Sequence, residues 1–176
     1  MNKFDISKLE ESVREVPDFP KPGIKFKDIT PILINPKLLS MSVEALASHV
    51  DSSSIDKIIG IDARGFIFGS LLANLLGKGF IPVRKEGKLP WQTESQAYDL
   101  EYGKSVIEIH KDSIKPGERI LIVDDLLATG GTAEAAVKLV EKLSGTVDSL
   151  IFFIELEFLK GRELLKNTNV RSVLKY

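Results

Sequence analysis

The sequence predicts an α/β fold built on a mainly parallel, twisted sheet flanked by helices. Three observations carry that prediction. Short apolar runs recur without polar alternation, as expected of strands covered on both faces. Helical periodicities separate most of these runs, which is the order of a wound parallel sheet. One run, residues 119–123, leads into Asp124-Asp125, a glycine turn and an amphipathic helix. The carboxyl end of such a strand opens onto the ligand crevice of an α/β sheet.

Taken in order, residues 6–16 place Ile6, Leu9, Val13 and Val16 on one helical face. Pro17, Pro20 and Pro22 stop that helix and hold an extended segment ending at Gly23. A second helix is expected over 37–50, before the turn Ser52-Ser53-Ser54. Strands are expected over 57–61, 79–83, 119–123, 149–155 and 170–174, with helices over 64–76, 132–143 and 160–166. The rhythm breaks at 84–103, which is polar, punctuated by Gly87, Pro90 and Gly103, and too long for an ordinary turn. Connections of this length in compact domains are characteristically lids or disordered segments. Residues 105–110 then read as a half-exposed strand, so the excursion returns as a hairpin arm, and 84–103 is expected to form a mobile lid. The chain shows no internal repeat, low-complexity tract or linker, and 1–176 reads as one domain.

Composition narrows the function. A length of 176 residues suffices for a real hydrophobic core. A net charge of -1 supplies no field for nucleic acid or an anionic membrane, so neither is an expected partner. The absence of cysteine excludes disulfides, thiolate metal sites and cysteine nucleophiles. The opening Met1-Asn2-Lys3-Phe4-Asp5 lacks the apolar core of a signal peptide. The most apolar stretch, residues 66–76, falls short of the roughly 20 residues needed to span a bilayer. The expected location is the cytoplasm.

The site residues follow from chemistry. Amides of Ala128, Thr129, Gly130, Gly131 and Thr132, at a turn and a helix N-terminus, suit a phosphate that glycines let the backbone approach. Carboxylates accept hydrogen bonds, so Asp124 and Asp125 suit the hydroxyls of a ribose. The plainer alternative, a helix-entry turn beside exposed strand-end acids, explains less, because an acidic pair directly after a buried strand is poor filler. No lysine sits between the glycines and Thr132, which separates this turn from the nucleoside-triphosphate P-loop. The residues alone thus point to a phosphorylated sugar. His49 and His110 have no partner at metal-ligand or nucleophile spacing, and Glu155, Glu157 and Phe158 fit the border of a ligand pocket and ordinary strand-end positions equally well.

The block Val123-Asp124-Asp125-Leu126-Leu127-Ala128-Thr129-Gly130-Gly131-Thr132 resembles the phosphoribosyl-pyrophosphate motif of the type I phosphoribosyltransferases. Four further segments resemble the adenine-using branch of that family, in the same order and across nearly the whole chain. They run from Asp18 to Pro31, from Asp62 to Phe66 (Asp-Ala-Arg-Gly-Phe), from Arg84 to Pro90, and from Tyr98 to Gly103. The resemblance implies a base-binding hood over 1–35, a lid over 84–103, and conversion of adenine and phosphoribosyl pyrophosphate to AMP and pyrophosphate. It also implies a homodimer and Mg2+, with the metal held mainly by substrate oxygens and water and by no all-protein cage.

By the same resemblance, Arg64, Arg84, Lys85 and Lys88 hold the pyrophosphate, Arg64 is catalytic together with Glu101, the acid or base on the lid, Tyr102 closes on the site and Gly103 is its hinge; the plainer alternatives are solvated charge in a polar loop for Lys85 and Lys88 and a surface acid of the returning strand for Glu101. Phe26 stacks on the purine and backbone groups of Lys25 read its edge; the plainer alternative for Phe26 is a core anchor for the N-terminal arm, the role that falls to Phe19. Lys25 departs from the apolar residue common at that position; turned inward, its ammonium would donate to a 6-oxopurine, whereas burying it unpaired is costly. Trp91 stands where a polar lid residue is expected, for packing on a closed lid or at a dimer contact. Two other readings stand beside the adenine transferase: a 6-oxopurine transferase, and a regulator that binds phosphoribosyl pyrophosphate without turning it over.

Overall fold

The computed structural model describes residues 6–99 and 104–176. The first helix, α1, covers Ile6–Ser12 rather than 6–16, and the chain then enters a strand, β1 (Arg14–Pro17). β1 pairs antiparallel with β2 (Lys25–Asp28), placing Glu15 opposite Lys27 and Arg14 opposite Asp28. Both pairs are salt-bridged, Lys27 to Glu15 at 2.8 Å and Arg14 to Asp28 at 2.5 Å. These cross-strand charges favour the hairpin, and Val16 faces Phe26 across it instead of continuing the helical stripe.

A short helix, α2 (Thr30–Leu33), precedes α3 (Pro36–Ala47). The Asn35 side chain accepts hydrogen bonds from the amides of Lys37 and Leu38, so α3 starts at Pro36, where a missing N–H costs nothing.

The main sheet has seven strands in the order β5-β6-β4-β3-β7-β8-β9. Five run parallel: β3 (Lys57–Ile61), β4 (Gly79–Lys85), β7 (Arg119–Leu127), β8 (Thr146–Glu155) and β9 (Val170–Lys175). β5 (Thr93–Asp99) and β6 (Lys104–His110) add an antiparallel edge. Helices α4 (Gly65–Leu76) and α5 (Gly131–Lys142) follow β3 and β7. The parallel strands bury both faces: Phe152 enters one core cluster with Ile122 and Leu139, while Phe153 enters the other and stacks on Phe68 at 5.1 Å. This two-sided burial explains the unbroken apolar runs.

β7 extends to Leu127, so Asp124 and Asp125 lie within it rather than after it; pairing with β8 carries Asp124 past Phe152 and Leu127 past Glu155. Residues 160–166 do not form the expected α-helix. Two 3₁₀ turns, Glu157–Leu159 and Gly161–Leu165, meet at Lys160, whose φ of 54° interrupts them. Within 84–103, Arg84 and Lys85 complete β4 and Thr93–Asp99 forms β5, which leaves 86–92 as the irregular part among the described residues. β5 is tied to α5 by Lys142, whose Nζ donates to the Ser95 carbonyl at 2.7 Å and pairs with Glu94 at 3.4 Å. Trp91 is exposed. Among the described residues no helix is long and apolar enough to cross a membrane.

Candidate active site

Because β3, β4, β7 and β8 run parallel, their carboxyl ends align at one edge, bringing Asp62, Arg84, Asp124, Asp125 and Glu155 to the same side. The turn from β7 into α5 encloses a hollow of about 80 Å³ lined by Asp124, Ala128, Thr129, Gly130, Gly131 and Thr132. Gly130 caps α5 with φ +88°, a backbone state that costs glycine nothing, and no side chain caps the helix. The first amides of α5 have no intrahelical acceptor and stay open to an anion. The far end of β5 approaches the same turn: a Cβ on Gly131 would lie 3.3 Å from the Asp99 carbonyl.

The two aspartates do different things. Asp124 lines the hollow, and its Oδ1 accepts the Asp125 amide at 2.9 Å. Burial, followed by the charge of Asp125, pushes the Asp124 carboxyl well above the usual carboxylate range. Asp125 instead accepts a hydrogen bond from Nε of Arg64, the residue that opens α4. Gly65 makes that junction possible, since a Cβ there would sit 2.8 Å from Asp124 Oδ1 and 2.9 Å from the Val123 carbonyl.

Arg64 also borders a larger cavity of about 430 Å³, lined by Phe19, Phe26, Lys27, Asp28 and Ile29. Its guanidinium lies 5.6 Å from the Phe26 ring centroid, and the Phe19 ring meets Phe26 edge-on at 5.2 Å. Phe19 is therefore no core anchor: it is 51 % exposed, because the hairpin carrying it stands apart from the main sheet. The Lys25 side chain lies in solvent, outside the cavity lining, with Nζ 3.1 Å from Glu15. Lys27 and Asp28, which the sequence reading passed over, do line the cavity. Lys27 Nζ sits on Glu15 and 3.9 Å from the centre of the Tyr176 ring. The Thr30 hydroxyl, the Thr30 amide and Arg14 hold the Asp28 carboxyl at about 2. No sequence spacing points to these two, since their position depends on the hairpin.

The cations divide into three settings. Arg84 and Lys88 converge on Asp62, at 3.5 and 3.2 Å, and Arg84 also donates to the Lys88 carbonyl at 3.1 Å. Burial raises the Asp62 carboxyl, but Lys88 and Arg84 outweigh it and hold the group below its ordinary value. Arg64 stands two residues after Asp62, beside the aspartates. Lys85 is exposed at the end of β4 and makes no ion pair among the described residues. The structure thus brings together Arg64, Asp124, Asp125, Phe26 and the 128–132 turn, with Arg84 and Lys88 clasped on Asp62, and leaves Lys25 and Lys85 facing solvent. Glu101, Tyr102 and Gly103 lie outside the described residues; the strands on either side of them pair Asp99 with Lys104. His49 and His110, on the α3 side and at the end of β6, line neither cavity.

Among the described residues no group of three or more His, Cys, Asp or Glu side chains is arranged to hold a metal ion. The donor set available at the hollow is one or two carboxylates. That suits Mg2+ sharing phosphate oxygens and water, the usual way this ion meets a phosphorylated substrate.

Comparison with known proteins agrees with this geometry. Residues 29–169 match the phosphoribosyl transferase domain family. The adenine phosphoribosyltransferase of Acetivibrio thermocellus is 52% identical over 169 residues, covering 96% of this chain and 99% of the relative. The crystal structure of the Thermoanaerobacter pseudethanolicus adenine phosphoribosyltransferase superposes with a TM-score of 0.95 at 53% identity, over 97% of this chain and 99% of that one. That of the Saccharomyces cerevisiae enzyme, complexed with an imino-altritol bisphosphate and adenine, gives 0.92 at 42% identity, over 96% and 97%. The chain belongs to the phosphoribosyltransferase family, among the adenine phosphoribosyltransferases.

Proposed function

We propose that this chain transfers the 5-phosphoribosyl group of phosphoribosyl pyrophosphate to adenine, releasing AMP and pyrophosphate, as a purine-salvage pentosyltransferase. The observation that carries the reading is the uncapped α5 terminus with its phosphate-scale hollow beside Asp124 and Asp125, one arginine away from an aromatic-lined cavity.

In this reading the 128–132 amides hold the 5′-phosphate, and the hydroxyls of Thr129 and Thr132 assist. Asp124 and Asp125 orient the ribose hydroxyls, and the negative charge shared by the pair favours the positive charge that develops on the sugar as the bond from C1 to pyrophosphate breaks. Arg64, Arg84, Lys85 and Lys88 receive the departing pyrophosphate. Arg84 and Lys88 would exchange Asp62 for phosphate oxygens. Bound magnesium supplies neutralisation of the pyrophosphate charge. Adenine lies against Phe26, with its edge read by backbone groups of Lys25, and loses its ring N–H proton as nitrogen bonds to C1. Glu101 is the carboxylate proposed to assist that proton transfer.

The whole chain, 1–176, acts in this account as one domain, with residues 1–35 as hood over the base and 84–103 as lid. It works as a homodimer in the cytoplasm. Adenine is preferred over a 6-oxopurine because the Lys25 ammonium, the donor that would have favoured an oxo group, turns to Glu15 outside the cavity. The complex of the yeast relative with adenine supports the same choice.

The test is pyrophosphate release and nucleotide formation with adenine, hypoxanthine and guanine, each with phosphoribosyl pyrophosphate and magnesium. Adenine should be the fastest acceptor. Faster turnover of a 6-oxopurine would replace the proposed substrate, and binding of phosphoribosyl pyrophosphate without pyrophosphate release would favour the regulator.

A further inference from the structure

Gly161 presses its backbone into the phosphate turn from behind. A Cβ on Gly161 would lie 2.3 Å from the Ala128 carbonyl, and one on Gly130 would lie 2.4 Å from the Gly161 carbonyl. The two residues flanking Thr129 are thus backed by the same glycine, at a distance no other residue type permits.

The neighbour of Gly161 is anchored by an ionic clasp in which the carboxylate is buried and the Arg162 side chain remains 41 % exposed. Arg162 grips Glu155 with two hydrogen bonds, Nε to Oε1 at 2.5 Å and Nη2 to Oε2 at 2.7 Å. Its Nη1 donates to the Val170 carbonyl at 2.7 Å, and the Ser172 hydroxyl donates to Glu155 Oε2 at 2.5 Å. Glu155 is 3 % exposed and ends β8 directly opposite Leu127, the last residue of β7 before the turn. A carboxylate buried this deeply costs desolvation that an apolar side chain would avoid, so the ion pair is weak as a stabilising device and more telling as a geometric one. None of Glu155, Gly161 or Arg162 lines the hollow, so any effect on a ligand passes through the turn's backbone.

We infer that Gly161, fixed by the Arg162–Glu155 clasp, is a positioning residue that sets the 128–132 amides for the 5′-phosphate. This rests on the proposed function only in taking that hollow as the phosphate site. Small displacements of positioning groups are expensive because hydrogen-bond geometry to an anion is narrow.

The experiment compares wild type with Gly161→Ala and Arg162→Lys in two assays: ribose 5-phosphate binding by calorimetry, and steady-state kinetics with adenine. Thermal unfolding serves as the control. Gly161→Ala should weaken ribose 5-phosphate binding and raise KM for phosphoribosyl pyrophosphate by about tenfold or more, with KM for adenine within about twofold. Arg162→Lys keeps a cation beside Glu155 but loses the two-pronged grip, so it should move the same constants in the same direction by a smaller factor. A folded variant of either kind that binds ribose 5-phosphate like wild type overturns the inference. So does an equal rise in both KM values that tracks a loss of thermal stability. Should wild type bind ribose 5-phosphate yet transfer nothing to adenine, the proposed function fails while the calorimetric comparison still decides the role of Gly161.

Discussion

The Nε of Arg64 donates to the carboxylate of Asp125, joining the residue that opens α4 to the acid near the end of β7. The same guanidinium faces Phe26, so one side chain spans the proposed sugar and base ends of the site. Replacing it with lysine keeps the charge but loses the fixed Nε donor and the flat face above the ring. For Arg64→Lys we expect kcat/KM for phosphoribosyl pyrophosphate to fall by about tenfold to a hundredfold, with thermal stability nearly unchanged. Steady-state kinetics beside a melting curve checks this.

In the proposed site Phe26 offers the base an aromatic face. Base–aromatic stacking is worth about 1–3 kcal/mol in nucleic-acid sites. Phe26→Ala should therefore raise KM for adenine by about tenfold and leave KM for phosphoribosyl pyrophosphate within about twofold. Equal changes in both constants would mean that the ring supports the hairpin rather than the base.

Glu101→Gln removes the proposed proton carrier while preserving size. The maximal rate should fall and both KM values should stay close to wild type, with the loss greatest where the carboxylate is ionised. Initial rates across pH make the test. An unaltered kcat would remove Glu101 from the chemistry.

Asp28 supplies a pH-dependent contribution to folding. Its carboxyl, held at about 2 against an ordinary 3.8, is more acidic folded than unfolded. The stabilisation is therefore present in full above about pH 4 and lost as pH falls toward 2. Asp28→Asn should destabilise the protein by about 1–2 kcal/mol at pH 7, and the two proteins should converge near pH 2. Denaturant titrations at the two pH values measure the difference.

How much of this was legible beforehand depends on where each segment gets its stability. Ile58, Ile59, Leu121, Ile122, Leu150 and Ile151 are buried whichever face they turn to, so their strands were readable from composition alone. The α5 turn was readable because two glycines just after an apolar strand mark a helix entry. The β1–β2 hairpin was not, since Ile6, Leu9 and Val13 keep a helical spacing and the pairing of Glu15 with Lys27 and of Arg14 with Asp28 across the turn favours the strand. The same blind spot put Phe19 in the core and overlooked Lys27 and Asp28. Residues 160–166 failed for a different reason: Gly161 is committed to a contact with Ala128 that is distant in sequence, and helical periodicity cannot register it. Lys85 and Lys88 share one polar stretch of sequence, and only the fold shows that Lys88 turns back on Asp62.

The proposed function stands on main-chain amides of residues 128–132 gripping the phosphoryl group of the sugar. A crystal structure of the protein with AMP examines it directly. In that complex the 5′-phosphate should sit over Ala128–Thr132, the ribose diol on Asp124 and Asp125, and the base against Phe26. AMP bound with its phosphate elsewhere, and that turn left without it, would contradict the account.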